Sequence, residues 1–170
     1  MKDPFVFRSD GSVAVRLPED GVAMMRTLLD ELEQVVTDPD APTARRLFPP
    51  AYEDGLDELA RRARADAGLI DSRLARLRMM REVLSAGEVR RGWWEATLMP
   101  DEVHSFIGVC NDARLVLGTL LDVTDEDQPR RYLPATDPSA ATVNAYLWLG
   151  AVLETALGVI SPDLGDDHAE

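Results

Sequence analysis

The chain has 170 residues, 45% of them apolar and 29% charged, and a net charge of −13. That length fits one domain, which buries roughly 70% of its unfolded surface and folds without a disulfide or a metal, and the composition is globular rather than disordered. Nucleic-acid affinity comes largely from basic side chains that displace counterions from phosphates, so direct binding to nucleic acid is not expected of a globally acidic chain.

In chain order, residues 5–17 read FVFRSDGSVAVRL. Two β-prone runs flank the turn residues Asp10-Gly11, and Val13, Val15 and Leu17 alternate onto one face, which predicts a β-hairpin. Pro18-Glu19-Asp20 then opens a helix to about Val36, with Pro in the first turn and acids at the positive end of the dipole. Asp38-Pro39-Asp40-Ala41-Pro42 closes it. A short helical piece, TARRLF, leads to the turn at Pro49-Pro50. A long helical region follows from about Glu53 to Ala86, with Gly68 as a candidate break. On its wheel Leu69, Ile70, Leu74, Leu77, Met80 and Leu84 share one face; Arg73 falls inside that arc and Arg81 on its edge.

Residues 93–98, WWEATL, predict a strand, and Met99-Pro100-Asp101-Glu102 opens a helix to about Leu121. The order strand, Pro-acid-acid, helix thus occurs at 13–36 and again at 94–121. This faint echo lets both strands join one small sheet. Asp122–Asp137 reads as an acidic loop holding Arg130 and Arg131. Asp137-Pro138 suits a helix start, with Asp as cap and Pro at the first position. The helix at 138–159 is apolar nearly all round, which suits a core centre or an oligomer interface. The tail SPDLGDDHAE is expected to be disordered.

The fold class expected is therefore mainly α: a helical bundle around the apolar C-terminal helix, with a small N-terminal β-hairpin that a third strand can join. One domain covers 1–160, and 161–170 is an acidic tail. The opening MKDPFVF lacks the apolar stretch of a signal peptide, and no run approaches the ~18 apolar residues of a membrane span. A cytoplasmic protein without a membrane partner is expected.

The residues that carry chemistry are few. The histidines are His104 and His168, the one cysteine is Cys110 and the one lysine is Lys2. These supply neither a zinc ligand set, a catalytic triad nor a lysine-bearing phosphate loop, so no metal, no cofactor and no enzyme activity are expected. Cys110 lies on the apolar stripe of its helix with Val103, Phe106 and Leu117. It reads as a buried structural thiol, with redox sensing as the alternative. Asp125-Glu126-Asp127 and Asp166-Asp167 read as solvated loop charge, and Pro49-Pro50-Ala51-Tyr52 as a turn more than a proline-rich ligand.

Positive charge is concentrated. Residues 61–91 hold nine of the 18 basic residues and only four acids. That helix is either a solvated face paired with acids elsewhere or a docking face for an acidic partner, with Arg73, Arg76, Arg78 and Arg81 as candidate contacts. No stacking aromatics interleave with them, as a single-strand binder would need. Asn111, Arg114 and Gly118 share one side of the 101–121 helix. Arg114 is either a structural hydrogen-bond hub or a pocket arginine that takes an anion or a partner's carboxylate.

Two stretches belong together: Arg45-Arg46-Leu47-Phe48-Pro49-Pro50-Ala51-Tyr52, and Cys110-Asn111-Asp112-Ala113-Arg114-Leu115-Val116-Leu117-Gly118-Thr119 about 60 residues later. The pair resembles the actinobacterial AosR-like family of oxidative-stress transcriptional regulators, over essentially the whole chain. The resemblance implies a cytosolic factor acting through a protein partner in the transcription machinery, such as a sigma factor. A regulator of that kind rides on a DNA-bound partner, which agrees with the acidic charge. With Cys110 alone the chain cannot sense oxidant through an internal disulfide; a mixed disulfide is the remaining route. The function expected is a regulatory protein-binding domain. A small-ligand binder or enzyme centred on Arg114 and Asn111 is the alternative, and a structural homo-oligomer such as a homodimer the third reading.

Overall fold

A computed structural model describes residues 4–49, 56–124 and 127–160, with 56–66 described as backbone only. Pro50–Tyr52, the side chains of Arg61, Arg62 and Arg64, the acids Asp125 and Glu126, and the tail from 161 onward lie outside the described residues.

The first hairpin forms where the alternating valines place it. Strand β1 (Phe5–Phe7) pairs antiparallel with β2 (Val13–Pro18), Phe5 opposite Val15 and Phe7 opposite Val13. Its loop is held by Asp10, whose carboxylate accepts the Ser12 N–H at 2.9 Å and the Ser12 hydroxyl at 2.6 Å. Gly11 takes a left-handed φ of +82° beside it, a conformation that a side chain disfavours. Val13, Val15 and Leu17 are buried on one face, as the alternation requires.

A second hairpin joins it. Strand β3 (Glu88–Arg90) pairs with β4 (Trp93–Leu98) through a two-residue turn, Arg91-Gly92, with φ of 54° and 77°. Two positive φ values give the turn a twist that matches the flanking strands. β2 then pairs antiparallel with β4, Val13 opposite Leu98 and Leu17 opposite Trp94, so the sheet order is β1-β2-β4-β3. The strand at 93–98 thus joins the hairpin as expected. β3 was not expected, because all three of its residues are exposed and no buried alternation marks them.

Among the described residues four helices follow the hairpins in pairs: α1 (Glu19–Thr37), α2 (Leu56–Ala86), α3 (Pro100–Leu120) and α4 (Ala140–Ile160). A 3-10 turn, Pro42–Ala44, lies between α1 and α2. The order hairpin, helix, helix therefore runs twice through the chain, which extends the faint echo of the sequence to both halves. At the head of α3 the Glu102 carboxylate reaches back to the Met99 N–H at 2.7 Å, taking up a donor that the helix leaves unpaired. Before α4, Asp137 accepts the Ser139 N–H at 2.8 Å and its hydroxyl at 2.6 Å; it thus fixes the turn that leads into the helix, which starts at Ala140 and not at Pro138 as expected.

The architecture is mostly helical with a small antiparallel sheet. Four details depart from expectation. Helix α2 runs unbroken through Gly68, where a side chain would meet only open space. Leu69 is 44% exposed, being at the edge of the apolar stripe, while Leu77, Met80 and Leu84 are buried. The centre of the bundle is α3, not α4: α3 packs against α1, α2, α4, β4 and the 3-10 turn, whereas α4 packs chiefly on α3 and β1. Helix α4 leaves Ala141, Ala151, Glu154 and Leu157 in solvent, so its apolar composition exceeds its burial. By length and composition α4 also qualifies as a membrane span, which the sequence reading did not allow for; Val143, Tyr146, Leu149, Val152 and Leu153 are nevertheless buried within the fold. Trp148 of α4 closes over Gly21 at the head of α1, where an added Cβ would lie 2.6 Å from the indole.

Candidate functional site

Helix α3 carries Asp112 and Arg114 two positions apart, which sends their side chains to opposite sides. Asp112 faces α2 and is 5% exposed. Arg73 Nη1 donates to both of its oxygens at 2.8 Å, and Arg76 Nη2 donates to one at 3.3 Å. Arg73 Nη2 also donates to the Leu47 carbonyl at 3.0 Å, and its guanidinium lies over the Phe48 ring. Gly108, one turn before Asp112, leaves room for Arg76: a Cβ there would fall 2.2 Å from Nη1. Burial pushes the Asp112 carboxyl above its ordinary value of 3.8, and the two guanidiniums pull it back only in part. The cluster ties α2 and the 45–48 segment to α3.

The four arginines singled out on α2 therefore have different settings. Arg73 and Arg76 point inward to Asp112. Arg81 bridges to α1, donating to Asp30 at 2.9 Å and Glu33 at 2.6 Å; its pKa is raised, first by the Asp30 hydrogen bond. Arg78 is exposed, with its Nε 3.4 Å from the Leu74 carbonyl. Arg46, in the first of the paired motifs, donates to the Val123 carbonyl and lies across Gly118, where a Cβ would meet Arg46 Nη1 at 2.9 Å. The two motifs thus meet in space, and Gly118 leaves room for the Arg46 guanidinium.

Cys110 is 1% exposed within the core, and burial raises its thiol pKa far above the ordinary value. The thiolate that oxidation and disulfide exchange require is disfavoured there. His104 Nδ1 lies 2.7 Å from the Pro100 carbonyl of its own helix, and no group of three metal-ligating side chains occurs among the described residues.

On the other side of α3, Arg114 meets α4. Its guanidinium lies over the Tyr146 ring, 4.5 Å from the centroid, and Nη2 donates to the Tyr146 hydroxyl at 3.0 Å. Gly150, one turn along α4, leaves space for the side chain, since a Cβ would sit 3.3 Å from Arg114 Nε. That Nε is buried without an acceptor. No carboxylate pairs with Arg114 among the described residues.

Beside Arg114 opens a groove of about 720 Å³. Asn111 and Ile107 of α3, Leu147, Ala151, Leu153, Glu154 and Leu157 of α4, and Gln128, Arg130 and Tyr132 of the connecting loop line it. The loop is held against α4 by Asn144, whose amide donates to the Leu133 carbonyl at 2.9 Å and whose oxygen accepts the Leu133 N–H at 2.7 Å. Of the sequence candidates, the groove brings together Asn111 and Arg114 only. Tyr146 reads in the sequence as core, and Arg130 as one of two arginines in an acidic loop; nothing in their spacing links them to Arg114.

A family model described as a domain of unknown function, DUF2017, matches residues 2–160, and the chain belongs to that family. No curated protein and no solved structure matches it.

Proposed function

We propose that this DUF2017 chain is a regulatory protein-binding domain whose contact site is the groove beside Arg114. One observation carries the reading: a guanidinium fixed by Tyr146 borders an open groove and has no carboxylate partner among the described residues. A buried or half-buried arginine is ordinarily paired within its own fold, as Arg73 is; one that is held rigid beside an opening suits a partner's acidic group. The groove lining supports recognition over catalysis, since among the described residues it offers one carboxylate, Glu154, and no histidine, cysteine, serine or lysine.

The resemblance of 45–52 and 110–119 to the AosR-like regulators extends the proposal to a cytoplasmic, stress-linked transcriptional regulator working through a partner such as a sigma factor. The buried setting of Cys110 favours a signal received through the partner rather than through this thiol. Crosslinked pull-down from the native cell with the wild type and with Ala151→Trp, which fills the groove, tests this reading. Recovery of a sigma factor or polymerase subunit by the wild type, lost in Ala151→Trp, is the expected result. Equal recovery by both moves the contact elsewhere, and recovery of the bait alone removes the protein-binding reading.

The groove volume favours a second reading, a binder of a small anionic ligand, because pockets for such ligands span about 300–1,000 Å³. A thermal shift with small carboxylates that is absent in Arg114→Ala would favour it.

A further inference from the structure

We infer that the groove beside Arg114 takes an acidic peptide segment carrying an aliphatic side chain next to its carboxylate. The inference rests on the protein-binding reading and names the chemistry of the partner. Charge is the first argument. Among the described residues the groove is lined by Arg114 and Arg130 against one acid, Glu154, an excess of positive charge in a chain of net charge −13. The net charge of the chain repels an acidic segment as a whole, and the guanidiniums of Arg114 and Arg130 give this groove the complementary potential that holds one.

Preorganisation is the second. Tyr146 holds the Arg114 guanidinium by its ring face and by its hydroxyl, and Gly150 gives it a close seat on α4. Side-chain entropy otherwise lost on binding is thus already lost in the free protein. Nη1 has no acceptor among the described residues, and a carboxylate is the group that guanidinium geometry suits best.

The third argument is the apolar side of the same groove. Leu157 and Tyr132 are 48% and 58% exposed at its rim, with Leu153 beneath. An aliphatic side chain set beside the carboxylate covers this surface, while the Asn111 amide offers a donor and an acceptor to the peptide backbone. A small free acid would satisfy the arginine and leave the leucines in water.

Random-peptide display selected on the wild type, followed by binding of the enriched peptides to Arg114→Ala, Ala151→Trp and Leu157→Glu, tests this. Near-UV circular dichroism and melting establish that each variant is folded. Expected is enrichment of Asp or Glu beside Leu, Ile or Phe, with binding about 10–100-fold weaker in Arg114→Ala, the range of a hydrogen bond to a charged group, and abolished in Ala151→Trp. Neutral or basic peptides that Ala151→Trp blocks would overturn the acidic partner and leave the protein-binding groove standing. An acidic motif indifferent to Arg114→Ala would overturn the inference as well. Absence of enrichment, or peptides unaffected by all three variants, would overturn both the inference and the groove as contact site.

Discussion

The two sides of α3 treat arginine in opposite ways. Towards α2, Arg73 and Arg76 converge on a carboxylate that is 5% exposed, and the space is closed. Towards α4, Arg114 meets a phenol and a groove, with no acid paired to it among the described residues. Glycines seat the long side chains on both sides, Gly108 for Arg76 and Gly150 for Arg114. The difference lies in what completes the charge: on one side the fold supplies it, and on the other the completing group is left to something outside the fold. A basic residue in this chain is thus informative about binding only when its partner is missing.

The largest expected effect is on the closed side. Asp112→Ala leaves two guanidiniums facing each other without their acid, and removing one partner of a buried pair costs about 3–5 kcal/mol. Urea denaturation reads this directly; a loss below about 1 kcal/mol would mean that the cluster behaves as a surface pair. The same side carries a pH signature. Burial raises the Asp112 carboxyl above 3.8, so the folded state keeps its proton to a higher pH than the unfolded state. Stability from this group then falls as pH rises from 3.8 through the folded value, and Asp112→Asn lacks that slope. The opposite slope in the wild type would mean that the two guanidiniums outweigh burial.

Between the two sides, Cys110 is expected to resist thiol reagents in the native protein and to react once denatured, because burial disfavours its thiolate. Rapid native labelling followed by mass spectrometry would restore the redox reading of this residue. On the open side, Tyr146→Phe removes the hydroxyl from Arg114 and keeps the ring. The loss in stability is about 0.5–1.5 kcal/mol, with peptide binding weakened because the guanidinium is no longer fixed. The smallest effect belongs to Arg78→Glu, an exposed position where substitutions shift stability by about 0.5 kcal/mol or less. Loss of partner binding there without loss of stability would return the docking face to α2 and undo the contrast between the two sides of α3.

The sequence by itself determined the elements whose cause is local. The alternation Val13, Val15, Leu17 sets β2, the Pro-acid-acid steps start α1 and α3, and Asp137-Pro138 prepares α4, because period and cap chemistry act over a few residues. Strand β3 was invisible for the same reason: its three residues face solvent, and only pairing with Trp93–Glu95 makes them a strand. Gly68 suggested a break that the helix ladder overrides. What only the tertiary structure decided is which charges meet. Arg73 and Asp112 are 39 residues apart and Arg114 and Tyr146 are 32 apart, so no spacing rule joins them. The sequence marked Arg73, Asn111 and Arg114 as notable, but their roles follow from which side of α3 each approaches and whether that side is closed. Packing also placed α3 rather than the more apolar α4 at the centre, since position in a bundle follows from how many neighbours a helix has to satisfy, not from its composition alone.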